Sequence, residues 1–106
     1  MGIDQALIED IVHRILAVTR PDKIILFGSA ATGTMTSDSD IDLLIVQNDS
    51  TDRQQAYKQI CEALWDIDYP FDILFIDTDW FEKSKDVFGG IAYPAHKEGK
   101  VIYDAA

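Results

Sequence analysis

Residues 23–46 read KIILFGSAATGTMTSDSDIDLLIV. Two apolar runs of strand length flank a Gly28-Ser29 break and a cluster of three aspartates, Asp38, Asp40 and Asp42. Residues 23–27 are rich in branched side chains and read as a buried strand; residues 41–46 read as a second. Between them, residues 30–33 have room for one helical turn, and residues 34–39 carry turn chemistry with nothing to pack. No Lys or Arg lies between Lys23 and Arg53. Like charges repel at short range, so carboxylates without a local counter-charge do not stabilise a fold. Either solvent disperses them or a cation belongs there.

On both sides of this stretch the pattern turns helical. Ile3, Leu7, Ile8, Ile11, Val12, Ile15 and Leu16 recur at i, i+3, i+4 and predict an amphipathic helix over 3–18, stopped by Pro21. Glu9 and His13 fall on its solvent face. Further on, Thr51 with Gln54 makes a capping box. The apolar stripe of the helix it opens is Ala56, Tyr57, Ile60, Cys61, Ala63 and Leu64. Cys61 lies within that stripe and reads as a small core hydrophobe rather than a nucleophile.

Residues 71–76 (FDILFI) predict a third strand, entered through Pro70. Its one polar interruption is Asp72, which would be costly if buried and unpaired. Asp79 with Glu82 marks the start of another helix, carrying Trp80, Phe81 and Val87 and ended by Gly89-Gly90. Residues 91–98 predict a last short helix with Gly99 as its cap and His96 on its exposed side. Residues 101–103 predict a fourth, edge-like strand. The order is that of an α+β protein, a mixed α/β layer with a small mixed sheet of about four strands flanked by helices.

A chain of 106 residues fits one domain spanning residues 1–106. The net charge of −10 argues against unaided binding of a nucleic-acid backbone, which needs Lys and Arg to neutralise phosphates. A metal–nucleotide complex or a complementary protein surface is the expected partner. The one cysteine, Cys61, excludes an intrachain disulfide and agrees with a reducing compartment. No apolar run reaches the roughly eighteen residues of a membrane span. The N-terminus lacks a basic n-region, and Ala6 stands where myristoylation expects Ser or Thr. The expected location is the cytoplasm.

Asp40 and Asp42 are two apart at the start of a strand, so alternation puts both carboxylates on one face. Ile41, Leu43 and Ile45 then point into apolar packing. Hard oxygen ligands held side by side suit Mg²⁺, which takes one or two carboxylates and completes its shell with water and substrate phosphates. If the third strand pairs beside the second, Asp72 can complete the set, and three carboxylates can hold two divalent ions for in-line displacement at phosphorus. Gly28 lets a phosphate approach the backbone, and the Ser29 hydroxyl can donate to it.

Rival motifs fail on the same residues. Gly28 and Gly33 have Walker A spacing, but Thr34 and Met35 stand where Lys and Ser or Thr are required. Asp38, Asp40 and Asp42 imitate an EF-hand loop, yet Leu43 replaces its glycine and Asp49 its glutamate. A hydrolase elbow around Ser29 would need glycine where Phe27 sits.

Gly28-Ser29, ten residues, then Asp40-Ile41-Asp42 resembles the Gly-Ser-x10-Asp-x-Asp signature of the nucleotidyltransferase superfamily related to DNA polymerase beta. The chain's size and its extent, from the first helix to the terminal Glu-Gly-Lys-Val-Ile-Tyr, are similar to those of the minimal nucleotidyltransferase proteins. The resemblance implies a mixed sheet with flanking helices, Mg²⁺, and ATP or another nucleoside triphosphate. It implies Asp40 and Asp42 as metal ligands, Asp72 as the third acid, and Gly28 and Ser29 as phosphate binders. It also implies a helical HEPN-domain partner, often an RNase toxin, and an antitoxin that adds AMP to a partner tyrosine. Family members often carry Arg at the positions of Ala30 and Thr32; here neither is basic, so metals, amides and distant lysines would neutralise the triphosphate. The same departure motivates an alternative of another class, a binding module that neutralises a partner protein without chemistry.

Overall fold

The computed structural model describes residues 4–33, 39–48, 53–86 and 99–105. In chain order it contains α1 (Gln5–Leu16), β1 (Lys23–Phe27), α2 (Ser29–Thr32), β2 (Ile41–Val46), α3 (Arg53–Ala63), β3 (Phe71–Ile76), α4 (Thr78–Ser84) and β4 (Lys100–Asp104). The Thr51 cap, Val87, Gly89-Gly90, the helix over 91–98, His96 and most of the 34–39 turn lie outside the described residues.

The strands form one sheet in the order β3-β2-β1-β4. β1 pairs antiparallel with both β2 and β4, whereas β2 and β3 run parallel, with α3 as the crossover between them. The sheet is therefore mixed, as the family resemblance implies. Every residue of β2 except Asp42 is buried, which fits a central strand covered on both faces.

Alternation sorts the strand residues into two layers. Ile24, Leu26, Ile41, Leu43, Ile45 and Ile73 face one side, where Ile8, Ile11 and Ile15 of α1 and Ile60 of α3 cover them. On the other side Ile25, Leu44, Val46 and Ile76 pack against Phe81 of α4. The first helix begins where Asp4 caps it, its side chain accepting from the Leu7 amide at 2.8 Å.

Arg14 ties the two helices of the larger layer together. Its guanidinium pairs with Asp10 at 3.0 Å, donates to the Ala63 carbonyl at 2.9 Å and pairs with Asp66. The end of α3, and hence the entry into β3, is held against α1 by this contact. The Arg14 guanidinium hydrogen-bonded to Asp66 holds that carboxyl below its usual range.

Two helical expectations need correction. The cap of α4 is Asp77 rather than Asp79: its carboxylate accepts from the Asp79 and Trp80 amides at 3.1 and 3.3 Å. The helix ends at Ser84, ahead of the two glycines. In α3 the buried stripe is narrower than the sequence pattern. Ala56, Ile60 and Leu64 are buried, Cys61 and Ala63 are half-buried, and Tyr57 is exposed. One row of positions, i, i+4, i+8, suffices to cover the sheet at this edge.

The account of the core makes a direct prediction. Ile45 is fully buried in the central strand and sits remote from the Asp42 end. Ile45→Ala should lower stability by about 2–5 kcal/mol, read as a lower denaturant midpoint with an unchanged slope.

Candidate active site

The site is assembled by register. β1 ends at Phe27, which lies opposite Asp42 on β2. The Gly28-Ser29 turn is therefore delivered beside the start of β2. Because β2 and β3 are parallel, their starts lie at the same end of the sheet, and Asp42 is the direct partner of Asp72. Neighbouring strands are about 4.8 Å apart. An acid thirty residues further along the chain (72 − 42 = 30) thus stands one strand over from Asp42.

Burial distinguishes the carboxylates. Asp42 is partly buried, while Asp40 and Asp72 are exposed. Loss of solvent raises the Asp42 pKa above the ordinary carboxylate value, and the charges of Asp72 and Asp40 push it further in the same direction. The exposure of Asp72 corrects one premise. Its presence in an apolar strand carries no burial penalty, and its interest lies in its position beside Asp42.

Gly28 is explained by the same carboxylate. Its backbone has φ 66° and ψ −151°, a region open to glycine and essentially closed to other residues. A Cβ there would overlap Oδ2 of Asp42 and lie 3.2 Å from its Cγ. Glycine thus lets the main chain pack directly against the Asp42 carboxylate while the chain turns sharply into α2. That turn of helix runs from Ser29 to Thr32 and closes at Gly33, whose φ of 78° is left-handed. Ala30 is buried and packs into the larger apolar layer, so its side chain belongs to the core.

Asp40, Asp42, Asp72, Gly28 and Ser29 thus gather at one end of the sheet, from four separate elements and turns. Among the described residues, no group of three or more His, Cys, Asp or Glu side chains is arranged to hold a metal ion by itself. The donor set nonetheless fits a hard divalent cation. All donors are carboxylate oxygens, and their mutual repulsion at Asp42 is what such an ion relieves. Mg²⁺ needs only one or two of them when phosphates and water supply the rest.

The residue that the sequence pattern misplaced is Tyr57. The Cys61 thiol one turn on raises the tyrosine pKa, and the negative charge of Asp72 adds to the rise. The signal was present as a second stripe, Tyr57, Cys61 and Trp65, running one position beyond the core stripe of Ala56, Ile60 and Leu64.

The model of a nucleotidyltransferase domain matches residues 7–93. Among solved structures, one described as a toxin-antitoxin with AMP-PNP aligns at a TM-score of 0.69 and 19% identity, over 92% of this chain and 73% of its own. A putative nucleotidyltransferase from Sulfolobus solfataricus aligns at 0.57 and 18% identity, over 99% and 93%. Comparison with curated protein sequences finds no match. The structural likenesses establish the shared fold. Among the described residues no helix is long and apolar enough to cross a membrane.

Two outcomes follow from this geometry. Asp42 carries a folded-state pKa above its unfolded value, so the native protein binds more protons between the two. Its contribution is destabilising above the folded pKa and fades as pH falls towards the unfolded one. Asp42→Asn should therefore melt a few degrees higher than wild type at pH 7, and the difference should shrink on acidification through the carboxylate range. Calorimetry at several pH values without divalent metal checks this. Gly28→Ala should cost about 1–3 kcal/mol from its backbone alone, measurable by denaturant titration.

Proposed function

The chain belongs to the nucleotidyltransferase domain family, and from that premise we propose that it is a Mg²⁺-dependent enzyme transferring AMP from ATP to a hydroxyl. We place the acceptor hydroxyl on a tyrosine of a HEPN-type partner toxin, in the cytoplasm, so that transfer makes the protein an antitoxin. The observation that carries this reading is the pairing of Asp42 with Asp72 beside a glycine turn that packs directly on the Asp42 carboxylate. The description of one structural relative as a toxin-antitoxin with AMP-PNP supports the nucleotide and the partner class.

In this reading Asp40, Asp42 and Asp72 would hold the metal ions, Asp72 on the acceptor side, and such ions would supply neutralisation of phosphate charge and polarisation of the α-phosphorus. Gly28 admits the phosphates close to the main chain, and Ser29 donates its hydroxyl to a phosphate oxygen. Asp72 lies on the outermost strand and is exposed, so an incoming hydroxyl can reach it. There it accepts the proton as the acceptor oxygen attacks the α-phosphorus and pyrophosphate leaves. Positioning and charge neutralisation are most of what phosphoryl transfer requires.

A second reading rests on Ala30. Its side chain is buried in the core, and no basic group replaces it in the segment from residue 24 to residue 52. A protein so short of positive charge around a triphosphate could neutralise its partner by complex formation alone.

One experiment separates the two. The purified HEPN partner, ATP and Mg²⁺ are mixed with the wild-type protein or with a variant carrying Asp40→Ala and Asp42→Ala. The wild type should add the mass of AMP to the partner, and the variant should add none while its circular dichroism stays native. Undiminished transfer by the variant would overturn the site assignment. A tight complex with no mass gain, and inhibition indifferent to the two aspartates, would favour the binding module.

A further inference from the structure

The outer face of α3 carries side chains that the fold does not use. Trp65 is 86% exposed and Tyr57 47%. With Cys61 between them they line an open groove along the helix. The groove continues past Trp65 into a hollow walled by Tyr69, Phe71 and Ile73. Exposed aromatic surface of this extent marks a contact site in a protein of ordinary composition, and Trp and Tyr are the side chains most enriched where binding energy concentrates.

Two observations say what covers it. The first is position. Phe71 and Ile73 flank Asp72 on β3, so the hollow ends against the strand that carries the candidate acid. No described strand pairs with the outer edge of β3, so this side of the molecule is open. The second is charge. Lys58 and Glu62 both line the groove, and the exposed Asp68 and Asp72 belong to the turn and the strand whose Ile67, Tyr69, Phe71 and Ile73 wall the hollow. The whole chain carries −10. A second copy would bring the same negative field to the same place and be repelled, whereas a basic surface would be drawn in.

We propose that the Tyr57–Cys61–Trp65 face of α3 and the turn after it is the docking surface for the acceptor protein: a basic polypeptide that packs an aromatic side chain against Trp65 and thereby brings its hydroxyl round the open edge of β3 towards Asp72. The delivery of the hydroxyl rests on the nucleotidyl-transfer reading; the docking itself does not.

The probe is a random copolymer of lysine and tyrosine, with a copolymer of glutamate and tyrosine as the control, titrated calorimetrically into the full chain. Wild type should bind the basic copolymer, more weakly as salt rises, and leave the acidic one unbound. Trp65→Ala should weaken that binding about tenfold or more, and Trp65→Phe should restore most of it. Trp65 is almost wholly exposed, so its truncation leaves the core intact; Tyr57→Ala provides an independent second variant. Equal binding by wild type and both alanine variants would overturn the docking surface, leaving only diffuse charge attraction. Self-association of the wild type that Trp65→Ala abolishes would overturn it in favour of a second copy. Binding of AMP-PNP with Mg²⁺, measured on the same samples, keeps the two readings apart. Its absence in the wild type, with Trp65-dependent copolymer binding intact, would sink transfer and spare docking. Its presence, with copolymer binding indifferent to Trp65, would do the reverse.

Discussion

Asp42 faces Asp72 across two hydrogen-bonded parallel strands, and the organisation of the site follows from that opposition. Burial raises the cost of ionising Asp42, and the charges of Asp72, about one strand spacing away, and of Asp40 add to it. Nothing in the segment from residue 24 to residue 52 brings a compensating lysine or arginine. The glycine packed on Asp42 is part of the same arrangement: a side chain at position 28 would collide with the Asp42 carboxylate itself.

The scaffold exists to hold this opposition in register. Ile41, Leu43 and Ile45 are fully buried against α1 and α3, which fixes the pleat so that Asp42 points the other way. Leu44 and Val46, on the Asp42 side, are gripped by Phe81 further along. A slip of one residue in β2 would turn Asp42 into the apolar layer against α1 and α3. The parallel alignment of β3 depends on α3 returning the chain to the same end of the sheet, and Arg14 anchors the end of α3 through the Ala63 carbonyl. Carboxylates far apart in sequence are thus placed by hydrophobic packing, not by contacts of their own.

Much of this was legible in the sequence. Strands β1, β2 and β3 fall on residues 23–27, 41–46 and 71–76, as the apolar runs between Gly, Pro and Asp breakers predict. The runs of β1 and β2 are unambiguous because their burial is nearly complete, whereas in β3 only Ile73 and Ile76 are buried. The pairing of β3 beside β2 was legible only as a condition, since strand order is a tertiary property. The less legible features are those where several local solutions compete. Asp77 and Asp79 are both capable caps, and only the backbone geometry of the turn selects Asp77. In α3 two stripes of similar residues lie side by side, and the width of the sheet edge decides which is covered. The pattern places Tyr57 in the buried stripe for that reason, and its exposure, with that of Trp65, is what opens an interaction surface along α3.

The central claim is that divalent metal and nucleotide gather at the shared end of β1, β2 and β3. Mn²⁺ in place of Mg²⁺ reports this directly, since it broadens the NMR signals of nearby amides. Titrated with AMP-PNP into the labelled protein, it should first erase the amide signals of Gly28, Ser29, Asp40, Asp42 and Asp72. A chain with a net charge of −10 also offers acids elsewhere, including Asp22, Glu82 and Asp104 around Lys23. Broadening that begins there, or that spreads evenly over the acidic surface, would contradict the account.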